Sequence, residues 1–208
     1  MMNRAPQWSI SSATVALLCF VSFTSADIET ALWFHALDNA ALYTLFKKIT
    51  LFGDSTGYLV GGLLLFVVFR NRNPFRAYAG LFLFSSVALS GLSADLVKYL
   101  TGRARPKLYF SEQLYGFAAF HWEHAWTSFP SGHSATALSV ATVLATLYPR
   151  WRFAALFGAL LIAFSRIFLT QHYVSDVIAG SFLGIVSTVL LYHLYFKTKF
   201  DDSLHNKI

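Results

Sequence analysis

Charge is scarce in this chain. Only 12% of its 208 residues are Asp, Glu, Lys or Arg, about half of the roughly 25% usual in a soluble domain. Acidic residues are the scarcer sign, 10 against 16 Lys and Arg, for a net charge of +6. They are scattered, so no carboxylate cluster is available to hold a divalent ion. The single cysteine, Cys19, excludes an internal disulfide, and no CxxC or HExxH spacing suggests a structural or catalytic metal. No basic block of five or more occurs, which argues against a nucleic-acid partner despite the positive balance. Internal repeats and low-complexity stretches are also missing.

What the chain has instead is apolar sequence, 56% hydrophobic and 17% aromatic. Six apolar segments stand out, at about Ile10–Ala26, Ser55–Phe69, Phe75–Val97, His133–Tyr148, Phe153–Thr170 and Val177–Phe196. Several fall short of the ~20 residues that cross a bilayer, but a helix in a bundle extends by a turn into flanking polar sequence. Segments two to six are apolar on nearly every face, as membrane helices are and amphipathic soluble helices are not. The expectation is an all-α integral membrane bundle of six transmembrane helices, one domain over residues 1–208. The first segment, with Arg4 before it and Thr24-Ser25-Ala26 after it, also resembles a cleavable signal peptide; a retained helix is the favoured reading, and Asp27 is expected outside either way. Between segments one and two, Leu32 to Asp54 mixes Trp33, Phe34, Leu37, Leu42, Leu45 and Phe46 with Asp38, Lys47 and Lys48, which reads as an amphipathic helix lying at the interface. The tail from Asp201 to Ile208 reads as frayed.

Loop cations set orientation. Arg70, Arg72, Arg76, Arg150, Arg152, Lys197 and Lys199 fall on one side with the N-terminus, expected to be cytoplasmic. The opposite side carries Lys47, Lys48, Lys98, Arg103, Arg105, Lys107 and Arg166, a heavy positive load for an outer face unless several have a task there.

Three clusters at segment ends on that outer side supply one. The first is Lys98, six residues, then Arg105-Pro106; taken alone these are snorkelling boundary cations. The second, Pro130-Ser131-Gly132-His133, opens segment four. Free N–H groups at a helix start, with Gly132 permitting close approach, make an anion site, although Ser131 could simply cap the helix. The third holds Arg166, His172 and Asp176. In a helix, Asp176 lies one turn from His172, where a carboxylate accepts the Nδ1 proton and leaves Nε2 free to attack; the plainer alternative is a carboxylate in the first turn of a helix. Together these clusters offer three cations, an anion cradle, a hydroxyl and two histidines. That set suits a phosphoryl group, where catalysis is mostly position and electrostatics. The cations would replace a metal, and no cofactor is called for. A helix N-terminus disfavours a charged His133, whereas a bound phosphate dianion favours it.

Lys98-x6-Arg105-Pro106, Pro130-Ser131-Gly132-His133 and Ser165-Arg166-x5-His172-x3-Asp176 resemble the three-part signature of the type 2 phosphatidic acid phosphatase (PAP2) superfamily, in order and without departure at a key position. The resemblance runs from about segment two to segment six. It implies six membrane helices and metal-independent dephosphorylation of lipid phosphates. It also implies His172 as the nucleophile that becomes phosphohistidine, Asp176 as its orienting group, and His133 as the acid on the leaving oxygen. Lys98, Arg105, Ser131, Gly132 and Arg166 would bind phosphate.

The leading expectation is a lipid phosphatase of a bacterial inner membrane with its site on the periplasmic face. Its substrate would be undecaprenyl pyrophosphate, phosphatidylglycerophosphate, phosphatidic acid or a phosphate on lipid A, selected by the loop from Lys107 to Phe129. A lipid phosphotransferase of the same superfamily shares the first half-reaction. A non-catalytic lipid-binding protein fits poorly with intact His133, His172 and Asp176, and a soluble vanadate haloperoxidase fits poorly with six apolar segments. Other residues have modest readings. His121-Trp122-Glu123-His124, with Trp126 and Phe129, lines a substrate entrance more readily than it binds metal. Arg103 and Lys107 could touch a second phosphate or lipid headgroups. Asp95, three residues before Lys98, pairs with it.

Overall fold

The computed structural model describes residues 5–205, with side chains from 11 to 203; Arg4 of the signal-peptide reading and the last three residues lie outside that range. The described chain is mostly helical, with a long, largely non-helical stretch between Glu112 and Gly132 and one isolated bridge between Arg103 and Phe117. In order the helices are α1 (Ala5–Ser25), α2 (Asp27–His35), α3 (Ala40–Ile49), α4 (Ser55–Phe69), α5 (Pro74–Thr101), α6 (Pro106–Glu112), α7 (Gly132–Leu147), α8 (Arg152–Phe168), α9 (Val174–Leu191) and α10 (Lys197–His205), with a π-helical stretch at Tyr192–Phe196 joining the last two.

Punctuation in the sequence sets these boundaries. Asn39, Asp54 and Asn73 accept hydrogen bonds from Leu42 N, Thr56 N and Arg76 N and so start α3, α4 and α5. Pro74 and Pro106 begin helices where an N–H would have no partner. Gly102 ends α5 in the left-handed region at φ 57°, and a Cβ there would stand 1.5 Å from the Ala118 carbonyl oxygen, so only glycine fits.

Among the described residues, four helices are long and apolar enough to cross a membrane: Ala40–Phe69 taken as one, Pro74–Thr101, Pro149–Phe168 and Val174–Ser203. The bent pair Ser11–Ser25 and Asp27–His35, angled by 57°, makes five if it is one span. The expected fourth segment is α7, only 16 residues long. The expected single helix over Leu32–Asp54 is broken instead at Ala36–Asn39; α3 then packs Phe46 on Phe164 and Phe168 of α8. The tail expected to fray is helical as far as His205.

Packing follows an inside-out logic. Leu17, Phe20, Leu64, Leu92, Leu96, Phe157 and Leu194 point outward, while Ser86, Ser90, Ser139, Ser187 and Thr188 are buried. Such a surface suits lipid, and the small polar residues let helix backbones approach. These helices make a multi-pass membrane protein. Its centre is α7, which packs against α5, α8 and α9. One core joins Ala137, Leu138 and Ala141 to Ala159, Ala163 and Val177; a second, nearer the opposite end, joins Phe82 and Val143 to Phe196 and Phe200. Helices α7 and α9 meet almost backbone to backbone. A Cβ on Gly180 would lie 2.3 Å from Ser131 O, and one on Gly184 2.3 Å from Ala135 O.

Candidate active site

Lys98, Arg105, Gly132, His133, Arg166 and His172 line one cleft of about 430 Å³, together with Asp95, Tyr99, His121, Trp122, His124 and Thr127. Six of the eight residues singled out from the sequence therefore meet in one space. The other two, Ser131 and Asp176, are fully buried behind it.

Each wall has a local cause. Lys98 sits in the last turn of α5 and pairs with Asp95 at 2.8 Å, as expected; the Asp95 side chain is 71% exposed, so the pair is weak. Gly132 opens α7, and a Cβ there would come within 3.1 Å of Lys98 Nζ, so the absence of a side chain brings backbone N–H groups and the ammonium to the same floor. Ser131 caps α7, its Oγ accepting from Ser134 N at 3.4 Å and from Ser134 Oγ at 2.9 Å. Its hydroxyl is thus occupied by the helix start. Gly53 lies against His133, where a Cβ would be 2.7 Å from the imidazole Cδ2.

Arg105 is held rigidly. Nε donates to His124 O at 2.8 Å, Nη2 to Thr127 O at 3.1 Å and Nη1 to Gln171 O at 3.1 Å. Burial lowers its pKa to about 10, leaving it charged at neutral pH, and its charge in turn lowers that of His124. Arg166, in the last turn of α8, donates from Nη1 to Thr50 Oγ1 at 2.7 Å, while its buried Nε has no hydrogen-bond partner.

His172 departs from expectation. Helix α9 starts at Val174, so His172 occupies the preceding turn, where Gln171 N and His172 N both donate to Arg166 O and Thr170 has φ 51°. The nearest acceptor for Nδ1 is the Ser128 carbonyl at 2.8 Å; Asp176 Oδ2 is 3.5 Å away. A carbonyl only accepts, so Nδ1 carries the proton and Nε2 a lone pair. Nε2 lies 3.4 Å from Arg105 Nη1, inside the cleft. Burial pushes the His172 pKa down to about 3, partly offset by Asp176. The imidazole is therefore neutral at neutral pH, with the Nε2 lone pair unprotonated.

Asp176 does what the plainer reading asked: at the third position of α9 it accepts from Tyr173 N at 2.9 Å. It also accepts from Ser128 Oγ at 2.6 Å and, through Oδ1, from Arg103. Arg103 itself is a correction. Expected at headgroups or a second phosphate, it is wholly buried, bonded to Asp176, Asp27, Ser175 and Tyr115. Burial alone would lower its pKa, but Asp176 and Asp27 outweigh that and raise it. Asp27, expected on the outer side of the membrane, is buried with it. Phe129, expected at the entrance, packs on Arg103 from behind, its centroid 5.9 Å from Cζ. Lys107 borders a separate polar cavity of about 410 Å³ on the far side of Arg105. Around the cleft mouth Trp122 stacks on Tyr99 at 4.1 Å and Trp126 on His121 at 5.2 Å. Among the described residues no three or more His, Cys, Asp or Glu side chains gather as metal ligands.

Sequence reasoning gave no role to Ser128, Thr50 or Asp27 and misplaced Arg103. Ser128 acts through its carbonyl, which no residue type advertises. For Asp27 and Arg103 there was a signal: a carboxylate ending an apolar segment and a guanidinium just after another need a partner at membrane depth.

The chain is similar to known proteins over most of its length. The PAP2 superfamily model matches residues 79–200. A lipid A 1-phosphatase of Rhizobium johnstonii is 36% identical over 152 residues, covering 66% of this chain and 62% of the relative. One of Rhizobium etli is 35% identical over 159 residues, covering 70% and 68%. The chain thus matches about two thirds of the length of these relatives. Among solved structures, a transmembrane PAP2 type phosphatidylglycerolphosphate phosphatase from Bacillus subtilis superposes with a TM-score of 0.66 at 23% identity, over 89% of this chain and 96% of that one. Aquifex aeolicus LpxE gives 0.57 at 22%, over 80% and 94%. At such identities the likeness is one of fold.

Proposed function

We propose that this chain, which belongs to the PAP2 superfamily, is a membrane phosphatase that removes a phosphate from a lipid phosphate through a phosphohistidine. The observation that carries the reading is the one cleft lined by Lys98, Arg105, Arg166 and His133 together with His172, whose Nε2 lone pair lies 3.4 Å from Arg105 Nη1.

In this mechanism the non-bridging phosphate oxygens lie between the three cations and the N-terminal N–H groups of α7. The Nε2 lone pair of His172 attacks phosphorus, an N–P bond forms, and the bond to the lipid oxygen breaks. His133, charged once the dianion is bound, gives its proton to that oxygen. Water then attacks phosphorus, passing a proton to His133, and the N–P bond breaks to release phosphate. Ser128 O and Asp176 keep the His172 proton on Nδ1 throughout. Charge balance comes from the three cations, so no divalent ion is assigned a step.

The substrate we favour is a phosphate on a lipid A-type glycolipid, on the strength of the two relatives. Undecaprenyl pyrophosphate, phosphatidylglycerophosphate and phosphatidic acid are the comparison panel. The topology proposed is six crossings: the four long helices, the bent α1–α2 pair and the shorter α7. The basic loops support an N-terminus in the cytoplasm and a cleft on the periplasmic face of the inner membrane.

The test is phosphate release from this panel in detergent micelles, with and without EDTA, for the wild type and His172→Ala. Expected is turnover of at least one lipid that survives EDTA and vanishes in His172→Ala. Activity that is lost in EDTA and restored by magnesium, or that persists in His172→Ala, overturns the mechanism.

A further inference from the structure

Resting on His172 as the nucleophile, we propose that Asp27 is a positioning residue for catalysis: by pairing with Arg103 it restores to Asp176 the negative charge that stabilises His172 as it becomes cationic. The turn between α1 and α2 is thereby part of the catalytic apparatus.

The starting point is an electrostatic problem. Attack on phosphorus converts neutral His172 into a positively charged N-phosphoryl imidazole whose Nδ1 stands 3.5 Å from Asp176 Oδ2. A carboxylate there stabilises that charge. Arg103, however, is bonded directly to the other oxygen of the same carboxylate, and both side chains are fully buried. Taken as a pair, Asp176 and Arg103 are neutral and offer His172 little field. Asp27 changes this. Its Oδ2 accepts from Arg103 Nη2 at 2.7 Å, again with both side chains fully buried, so the three groups together hold one net negative charge.

The surroundings keep that charge effective. Rings of Phe23, Tyr115, Phe117, Phe129 and Tyr173 stand 4.7 to 5.9 Å from Arg103 Cζ and exclude water, so screening is weak. Asp27 is fixed in place. Oδ1 accepts from Ser22 Oγ at 2.7 Å and from Ser175 N at 3.0 Å, one residue before Asp176. It does not line the cleft, so it acts on the reaction only through Arg103 and Asp176.

The charge account and a purely structural role diverge in a double mutant. Asp27→Asn makes the cluster neutral and is expected to lower kcat by roughly tenfold to a hundredfold, with phosphoenzyme formation slowed. KM and affinity for inorganic phosphate should stay within about threefold, because the cleft is untouched. Adding Arg103→Met, a substitution of similar volume among aromatic rings, returns the net charge to that of Asp176 alone. The double variant is expected to regain about tenfold in kcat over Asp27→Asn. If Asp27 merely anchors α1, the losses compound instead, and that outcome overturns the proposal. Where these variants do not fold in detergent, Tyr115→Phe decides. Its Oη lies 3.1 Å from Arg103 Nη2 and 3.3 Å from Asp27 Oδ2, and its removal leaves all three charges in place. Activity within about threefold of wild type supports the charge account, and a loss of tenfold or more refutes it. A wild type that releases phosphate from no lipid would refute the phosphatase reading, whereas an active wild type with an indifferent Asp27→Asn refutes this inference alone.

Discussion

Adding one methyl group at Gly180 should damage activity more than it damages the fold. A Cβ there would be 2.3 Å from Ser131 O, where ordinary contact begins at 3.4 Å, so the backbones must part by about 1.1 Å. The obstructing atom is a carbonyl, not the end of a flexible side chain, and cannot swing aside. Ser131 N also donates to Asp176 O at 2.9 Å, so this is the point where the α7 N-terminus is tied to the α9 turn that carries His172. Forcing it open moves the α7 N-terminus away from His172, the nucleophile of the proposed mechanism. A displacement near 1 Å costs about a hundredfold in rate, while overpacking costs about 1–3 kcal/mol in stability. Gly180→Ala is therefore expected to lower kcat about a hundredfold and to lower the unfolding temperature in detergent by only a few degrees. Two comparisons bracket it. Gly184→Ala meets Ala135 O at the same 2.3 Å but one turn farther from the site, and should cost similar stability with less activity. Gly158→Ala meets nothing within 4 Å and should be neutral. Phosphate release and thermal unfolding measured on the same preparations check this. A folded Gly180→Ala protein with wild-type turnover would show that the α7–α9 crossing does not set the cleft geometry.

Three further outcomes are expected. His133→Ala should slow a lipid alkoxide substrate strongly but p-nitrophenyl phosphate much less, since p-nitrophenolate leaves without a proton; equal impairment with both would remove His133 from the acid role. His172 should keep its neutral, Nδ1-protonated form from pH 7 down to pH 5 in histidine-labelled NMR spectra, because burial holds its pKa near 3. The sign for stability follows: below about 6.5 the unfolded chain takes a proton that the folded chain refuses until about 3, so this group's contribution falls as pH drops through that window, and a folded-state titration near 6.5 would refute it. Thr50→Val removes the acceptor 2.7 Å from Arg166 Nη1 and is expected to raise KM about threefold to tenfold with kcat little changed; an unchanged KM would mean that Arg166 needs no such support.

Much of the helical architecture was legible because apolar runs here end at hard punctuation. Helix α4 spans Ser55–Phe69, as read, and α7 and α8 fall within a residue or two of their expected ends. The cleft was legible too, since three motifs carry residue types that share only one chemistry. What sequence could not supply was the third dimension behind the cleft. Helical spacing put Asp176 under His172, yet two backbone donors converging on Arg166 O hold His172 in a turn, and its proton goes to a carbonyl 44 residues away. Arg103 read as a boundary cation because its partners, Asp27 and Asp176, lie 76 and 73 residues off. The break at Ala36–Asn39 was missed because apolar periodicity continued through it.

The shortness of α7 has a consequence for how the cleft works. Sixteen residues make a helix of about 24 Å, against a hydrocarbon core of about 30 Å. The helix is central and buried along most of its length, and Gly132 at its N-terminus lies beside Lys98, three residues short of the end of α5 at Thr101. The chain from Gln113 to Phe129 folds back on the end of α5 through Ala118 N to Gly102 O at 2.8 Å, Ala104 N to Gly116 O at 3.0 Å and Ser128 N to Arg103 O at 3.0 Å. A phosphate reaching Gly132 therefore leaves bulk water, which is costly for a dianion. In the proposed mechanism Lys98, Arg105 and Arg166 offset that cost, with carbonyls and Thr50 holding the two guanidinium groups in place. The same loop that buries Arg103 thus provides two of the three carbonyls that hold Arg105, so one backbone path, from Gly102 to Ser128, helps set both the charge behind His172 and the charge in front of it.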